Sequence, residues 1–471
     1  MSSFEFISGL LLLIAVLGLI NHRYLRLPRT IGLMAGSLVL SIIIILIDHW
    51  VDVVELRQGW GALVASTDMP HVFLNGLLAF MLFAGSLHVD MDSLRAQKWT
   101  VLALATIGVV LATGLYGVGI WYVFGGAVPL AWCFTLAALL APTDPIAVGG
   151  LLKDAGLPPG LLAVVNGESL FNDGVAVVIF VVMLEWANGQ VSTPGMIGLE
   201  LLTEAGGGII LGFLTGYIAY RALLLVDDPA LELTMTLALV TVTYSLAATL
   251  HVSGPLAVVV AGLLTGHRST RYAMTDRSRR EVVLFWDLMD ELLNAVLFLL
   301  MGFALLSVEI SARLLVTAAA GIGLALVTRL ISVAVPTTLV HLRSLPKLRG
   351  VAVLTWGGLR GGISVALALT LEPSPYRGSL LAVCYAVVVF TILVQGLSMP
   401  ILVRRLYPSI AAPPRQLSPA PGSGSPRSAC GYCPMWTPSG CGRWCGGTGG
   451  RGQRRSPGRR RPSTGPRPSS H

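Results

Sequence analysis

The sequence has few charged residues. Only 12% of its 471 residues are Asp, Glu, Lys or Arg, whereas a soluble domain carries about 25%. Hydrophobic residues make up 54% of the chain, and apolar runs long enough to cross a bilayer, about 20 residues each, recur along it. This composition excludes an ordinary soluble globular protein and predicts an all-α polytopic membrane protein.

Acidic residues and lysine are missing from the last part of the chain. Residues 408–471 hold ten of the 32 basic residues, and all ten are arginine. Residues 1–407 are therefore close to neutral, with 22 basic and 24 acidic side chains. The net charge of +8 belongs to the tail, so we do not expect a nucleic-acid partner. We predict a membrane domain over 1–407 and a cytoplasmic tail over 408–471.

The tail is rich in Arg, Pro, Gly and Ser, a composition that cannot bury a core and predicts disorder. Four of the chain's six cysteines lie there, at Cys430, Cys433, Cys441 and Cys445. Their spacing faintly resembles a zinc site, although no histidine accompanies it. A disordered basic tail beside the anionic inner leaflet is the favoured interpretation. A shifted reading frame is a third one.

Apolar runs separated by polar breaks predict about thirteen membrane spans. They are 4–20, 31–48, 72–88, 101–124, 130–150, 161–184, 197–222, 230–250, 255–267, 283–308, 312–340, 351–371 and 377–403. With the N-terminus outside and the C-terminus in the cytoplasm, the inside loops carry seventeen basic residues and the outside loops three. This asymmetry satisfies the positive-inside rule and supports both the orientation and the count.

Two of these spans are predicted to be broken helices. Pro142 and Pro145 flank Thr143 and Asp144 in the fifth span, and proline removes a helix donor and clashes with the preceding turn. The twelfth span contains WGGLRGG at 356–362. An offset of seven spans places the two breaks in opposite orientation, as in two inverted repeats. Such interrupted helices point to the central site of a transporter.

Three carboxylates lie in or beside the fifth and sixth spans: Asp144, Glu168 and Asp173. An ionised side chain at the bilayer centre costs about 2.5–3.5 kcal/mol on insertion scales, so these groups indicate function. On a helix, residues four apart share a face, which pairs Glu168 with Asn172 and Ser169 with Asp173.

Thr143 and Asp144 of the broken span would face that polar side. Carboxylate, carbonyl and hydroxyl oxygens suit a small hard cation such as Na⁺, and no thiolate or imidazole lies near these motifs to favour a transition metal. Arg329 and Arg360 supply counter-charge from later spans. One net negative charge remains, and the least paired acid can hold either a cation or a proton.

Some of these side chains have structural alternatives. Glu168 paired with an arginine is more readily a structural salt bridge than a ligand, and Asn172 is equally well a hydrogen bonder between helices. We interpret the acids outside the broken helices as interfacial or structural: Glu200, Glu204, Glu232, Asp290 and Glu291.

Three motifs resemble a known family. APTDPIAV at 141–148, NGESLFNDGVAVVIF at 166–180 and WGGLRGGISVALAL at 356–369 are similar to those of the sodium/proton antiporters of the cation:proton antiporter-1 family, the NhaP and NHE type. The resemblance covers roughly residues 1–407. It implies the NhaA/NhaP-like antiporter fold: thirteen helices in two inverted repeats, a dimer interface beside a core bundle, and elevator-like alternating access.

The resemblance also implies roles for single residues. Asp173 matches the aspartate that binds cation and proton, and Thr143, Asp144 and Ser169 match its neighbours around Na⁺. Glu168 matches a charged partner that is salt-bridged to Arg329. An asparagine at position 172, instead of a second aspartate, goes with electroneutral exchange in the family.

We therefore expect a homodimeric transporter in the inner (plasma) membrane that exchanges Na⁺ for H⁺, with Li⁺ as a second candidate cation. It would need no cofactor and would not be an enzyme. The main alternative is K⁺/H⁺ exchange on the same scaffold. A gated channel fits less well because no selectivity-filter pattern is visible. An intramembrane protease has only the pair of Asp144 and Asp173 in its support.

Overall fold

A computed structural model of the chain describes residues 3–51, 76–87, 89–144, 157–190, 194–267, 273–304, 312–339 and 347–407. All regular secondary structure within these residues is helical, which confirms the predicted fold class. The predicted tail with its four cysteines lies outside the described residues. So do Pro145, the rest of the fifth predicted span, and several of the loop arginines that support the orientation.

In chain order the helices are α1 Ser3–Ile20, α2 Arg29–Val51, α3 Leu78–Leu87, α4 Met91–Ala96, α5 Lys98–Val123, α6 Leu130–Leu139, α7 Pro159–Ala187, α8 Pro194–Leu223, α9 Pro229–Thr249, α10 Gly254–Leu264, α11 Asp276–Ala304, α12 Ala312–Leu339, α13 Lys347–Trp356, α14 Gly362–Leu369 and α15 Arg377–Leu406. Two of them contain a π-helical turn, α5 at Leu104–Gly108 and α15 at Thr391–Gly396. Each predicted span contains at least part of one of these helices.

Seven helices in the described part of the chain are long and apolar enough to cross a membrane. They are α5, α9, α12, α15, most of α7 and α8, and the segment Ile7–Leu25, which combines most of α1 with the π-helical turn that follows it. Shorter apolar helices lie between them. The chain is therefore a multi-pass membrane protein. The count of thirteen spans and the relation of the two halves by inverted repeats stay predictions.

Helix α7 lies at the centre of the packing. It contacts α6, α8, α10 and the π-helical turn of α5. Two glycines on α7 allow neighbouring helices to approach closely. A Cβ at Gly167 would lie 2.7 Å from Leu94 Cδ1, and one at Gly174 would lie 2.7 Å from Leu256 Cδ2. Because these glycines flank the polar run between them, the side chains of that run are enclosed by protein.

The two predicted breaks differ in how much of each is described. Helix α6 ends at Leu139, and residues 141–144 have no regular structure. In the twelfth span, α13 ends at Trp356 and α14 begins at Gly362, so the glycine-rich segment 357–361 is the break. Proline and glycine both disfavour a continuing helix, and each leaves main-chain groups that need partners outside the helix.

A backbone hydrogen bond joins the two non-helical segments. The Asp144 N–H donates to the Leu359 carbonyl over 2.8 Å. The segments therefore cross in contact, within the protein interior, where irregular backbone is tolerated in a membrane protein. This crossing brings residues of the first and second halves of the chain to one place.

Candidate functional site

The polar face of α7 is buried. Glu168, Ser169, Asn172 and Asp173 are each at most 5% exposed. The helix places them on consecutive turns, as the spacing predicts. All four point into protein, so their polar atoms depend on neighbouring residues for hydrogen bonds.

Thr143 contacts this face from the first non-helical segment. Its N–H donates to Asp173 Oδ1 over 3.0 Å, and its hydroxyl donates to Ser169 Oγ over 3.1 Å. Asn172 Nδ2 donates to the Ala141 carbonyl over 3.0 Å and to Thr143 Oγ1 over 3.1 Å. The structure therefore brings Thr143, Ser169, Asn172 and Asp173 into one hydrogen-bonded group.

Asp144 lies at the crossing of the two segments. Its side chain packs so closely on Gly361 that a Cβ there would overlap it, which is why this position needs glycine. The carboxylates of Asp144 and Asp173 are close enough to interact electrostatically. Gly361 directly precedes the first residue of α14, so Asp144 lies at the end of a helix dipole that favours negative charge.

Glu168 is paired with Arg329 of α12. The guanidinium donates from Nη1 to Oε1 over 2.8 Å and from Nη2 to Oε2 over 3.0 Å. Nη2 also donates to the Leu354 carbonyl over 3.2 Å. This two-point pairing of buried groups is the stronger kind of ion pair and fixes the orientation of both side chains. A Cβ at Gly358 would overlap Arg329, so the glycine-rich segment also makes room for the pair.

Arg360 contacts main-chain carbonyls. Its Nη1 donates to the carbonyls of Ala141 over 2.6 Å and of Pro142 over 3.3 Å. These carbonyls follow the end of α6, where a helix leaves acceptors unsatisfied and a positive charge is favourable. Both arginines are therefore present at the site, as expected. Arg360 donates to the carbonyls of the broken helix, and Arg329 is the arginine that pairs with a carboxylate among the described ion pairs of the site.

Carbonyl oxygens of the broken fifth span were expected to be available to a cation, but two of them accept hydrogen bonds from side chains. The carbonyl of Ala141 accepts from both Asn172 and Arg360, and that of Pro142 accepts from Arg360. Side chains therefore already use both of these carbonyl oxygens.

Some residues that contact the predicted site residues were not themselves predicted to belong to the site. Thr391 in the π-helical turn of α15 accepts a hydrogen bond from the Arg360 N–H over 3.2 Å, and the buried Gln395 lies in the same turn. A glutamine within the apolar run FTILVQGL was the available sequence signal. Asp290 of α11, interpreted above as interfacial or structural, interacts electrostatically with Asp144 and accepts from Asn294 over 3.2 Å.

Comparison with known proteins identifies the family. A model described as the sodium/hydrogen exchanger, transmembrane, matches residues 10–405. The chain belongs to this family. This match confirms the family resemblance drawn from the three motifs, and the family is one of transporters.

Two relatives align with this chain over nearly their whole length. The chain is 42% identical over 419 residues to the Na⁺/H⁺ antiporter NhaP of Pseudomonas aeruginosa, an alignment of 86% of this chain and 97% of that one. It is 32% identical over 404 residues to the Na⁺/H⁺ antiporter NhaH of Halobacillus dabanensis, covering 84% and 96%.

A solved exchanger has the same fold. The sodium proton antiporter MjNhaP1 of Methanocaldococcus jannaschii matches with a TM-score of 0.67 over 86% of this chain and 98% of that chain, at 18% sequence identity. At this identity the likeness concerns the fold alone. It confirms an antiporter fold of the NhaP type, while the thirteen spans and the inverted repeats stay predictions.

Proposed function

We propose that this chain exchanges Na⁺, and also Li⁺, for H⁺ across the inner (plasma) membrane by alternating access. Family membership and the names of its relatives support sodium and proton as the transported ions. The observation that carries the mechanism is the setting of Asp173. It is a buried carboxylate whose hydrogen-bond donor is the neutral Thr143 N–H.

In this mechanism Asp173 binds either Na⁺ or a proton. The hydroxyls of Thr143 and Ser169 and the carboxylate of Asp144 supply further oxygens, which suit a small hard cation. A carboxylate that holds a proton cannot also hold Na⁺, so the two ions compete for one group. That competition couples their fluxes without any cofactor or chemical reaction.

Exchange is electroneutral and one-for-one in our proposal. Glu168 forms a two-point ion pair with Arg329, and Asn172 brings no charge of its own. Asp173 is then the group whose occupancy changes during the cycle, and Asp144 supplies a further carboxylate oxygen to the bound cation. In this proposal an elevator-like transition carries the site across the membrane, and the contact between the two non-helical segments keeps its residues together.

The remaining features of the proposal follow the family. We propose a homodimer, with the N-terminus outside and the C-terminus in the cytoplasm, as the distribution of basic residues favours. The two relatives compared above are both named as Na⁺/H⁺ antiporters, so potassium exchange is not the favoured alternative.

Purified protein in liposomes tests the function. With an imposed pH gradient, adding Na⁺ or Li⁺ should dissipate the gradient, and K⁺ should do so much less. The rate should not change when valinomycin and K⁺ clamp the membrane potential. A potential-dependent rate would contradict electroneutral exchange, and a current that persists without a proton gradient would indicate a channel. Empty liposomes are the control.

A further inference from the structure

A small cavity lies between α12 and α15, beside the glycine-rich break. Its polar wall consists of Arg329, Thr355, Arg360, Thr391 and Gln395, and its remaining wall is largely apolar. We call it the α12–α15 cavity. Its space suits about one water molecule, and it is separate from the group formed by Thr143, Ser169, Asn172 and Asp173.

Three of the residues that line the cavity each have a buried polar atom with no protein partner in the described part of the chain. These atoms are the donor Nε of Arg329, the hydroxyl of Thr355 and the acceptor Oε1 of Gln395. Gln395 is 2% exposed and Arg329 is 8% exposed. Leaving a buried polar group without a hydrogen bond costs about 1–3 kcal/mol, and three such atoms at one cavity need a common explanation.

We propose that the α12–α15 cavity is a site for one bound water molecule, which joins Arg329, Thr355 and Gln395 and so orients the guanidinium that pairs with Glu168. A buried water makes about three hydrogen bonds to groups of this kind. It accepts from Arg329 Nε–H, donates to Gln395 Oε1 and shares a hydrogen bond with the Thr355 hydroxyl.

Other occupants fit these atoms less well. A cation would lie against the guanidinium groups of Arg329 and Arg360. A small anion accepts hydrogen bonds only, so it would leave Gln395 Oε1 without a donor. Water both donates and accepts, which matches the mixture of groups in the wall.

The water completes the hydrogen bonding of Arg329. Nη1 and Nη2 already bind Glu168 and the Leu354 carbonyl, and the cavity satisfies Nε. Gln395 thus acts through the water and is a positioning residue for the Glu168–Arg329 pair. Its place in a π-helical turn fits this role, since such turns are frequent at functional sites.

Transport kinetics test the positioning role, and this part of the inference rests on the proposed function. Gln395→Met keeps a similar volume but removes the acceptor. The half-saturating Na⁺ concentration should rise about three- to tenfold, the loss expected for one hydrogen bond, and the pH profile should shift. The maximal rate should stay within about twofold.

Matched variants separate positioning from general damage. Val394→Met places the same side chain one residue away, on a position that is 46% exposed, and should behave as wild type. Thr355→Val should move the Na⁺ dependence in the same direction as Gln395→Met, and Thr355→Ser should restore it. Equal Na⁺ dependence and pH profile in Gln395→Met and Val394→Met would overturn the positioning role.

A cryo-EM map that resolves water gives the independent readout. It should contain density within hydrogen-bond distance of Arg329 Nε and Gln395 Oε1, and Gln395→Met should lack it. Absence of that density in the wild type, or density that a bromide buffer replaces with a heavier scatterer, would overturn the water site. A wild-type protein without Na⁺/H⁺ exchange would instead overturn the proposed function and leave the map readout intact.

Discussion

Glu168 and Asp173 are two buried carboxylates on the same helix with opposite surroundings. Glu168 receives two hydrogen bonds from the charged guanidinium of Arg329, whereas the described donor to Asp173 is the neutral backbone N–H of Thr143. A carboxylate beside a permanent cation needs no other counter-charge. Asp173 has no ion pair among the described residues, so a bound cation or a proton can supply the counter-charge in direct contact with it. In the proposed mechanism the same residue chemistry thus serves anchoring at one position and exchange at the other.

The largest expected effect comes from breaking the anchored pair. Arg329→Ala leaves Glu168 as a buried charge without its partner, which costs about 3–5 kcal/mol of stability. We expect most of the folded protein to be lost after heating, as measured by the height of the monodisperse peak in fluorescence-detected size exclusion.

The double variant Glu168→Gln with Arg329→Gln is the matched control. It removes both charges and leaves two groups that can hydrogen-bond to each other, so it should recover much of the melting temperature. If Arg329→Ala melts at the wild-type temperature, the pair is not an anchor.

Adding a carboxylate beside Asp173 should have the next largest effect. In Asn172→Asp the new side chain cannot donate to Ala141 O or Thr143 Oγ1 when ionised, and it adds negative charge beside Asp173. We expect the Na⁺/H⁺ exchange rate in liposomes to fall about tenfold, since losing a buried hydrogen bond costs about 1–3 kcal/mol.

Asn188→Asp makes the same change at the exposed end of α7 and should leave exchange unchanged. An Asn172→Asp variant with wild-type rates would show that the amide hydrogen bonds do not support the site.

Removing a neutral oxygen beside Asp173 should have a smaller effect. Thr143→Val and Ser169→Ala each delete one proposed Na⁺ ligand while keeping similar volume. The half-saturating Na⁺ concentration should rise about three- to tenfold for each, with the maximal rate less affected. Thr106→Val, at an exposed threonine of α5, is the control. Unchanged Na⁺ dependence in both site variants would remove these hydroxyls from the cation shell.

The smallest expected effect is on stability, from substitution of Asp90. This carboxylate also accepts hydrogen bonds from neutral donors, but it lies in a loop. Asp90 caps α4, accepting from the Asp92 N–H over 3.1 Å and from the Ser93 hydroxyl over 2.5 Å. Asp90→Ala should lower the free energy of unfolding by about 1 kcal/mol, whereas Asp90→Asn should retain most of the cap. Equal thermal unfolding of all three proteins would contradict the capping role.

The pH dependence of this cap has a definite sign. The hydrogen bond from Ser93 is the main cause that lowers the pKa of Asp90 below its ordinary value. The cap therefore stabilises the fold above the carboxylate's unfolded pKa, and this contribution is lost as the pH falls through the lowered value. In Asp90→Ala the difference from wild type should shrink in acid.

Much of α7 and the broken twelfth span was predictable from local sequence. Four-residue spacing placed Glu168, Ser169, Asn172 and Asp173 on one side of a helix, because helix geometry depends on neighbours along the chain. The four glycines around Arg360 marked the break at 357–361 for the same local reason.

Long-range contacts were not predictable from local patterns. Arg360 bonds to the carbonyls of Ala141 and Pro142, more than 200 residues away, although charge alone favoured a carboxylate. The partner of Glu168 came from the family resemblance and not from spacing. Gln395 was not predicted as a site residue, because a single amide in an apolar helix is no signal by itself. Only the packing of α12 against α15 places it beside Arg329.

The most direct test of the central claim is proton release on Na⁺ binding. Purified protein in weakly buffered detergent solution is mixed with NaCl while a pH dye records free protons and isothermal calorimetry records bound Na⁺. The mechanism predicts one-for-one release by the wild type near the pH at which Na⁺ and H⁺ compete, and none by Asp173→Asn. Equal proton release by Asp173→Asn and the wild type would contradict competitive binding at Asp173.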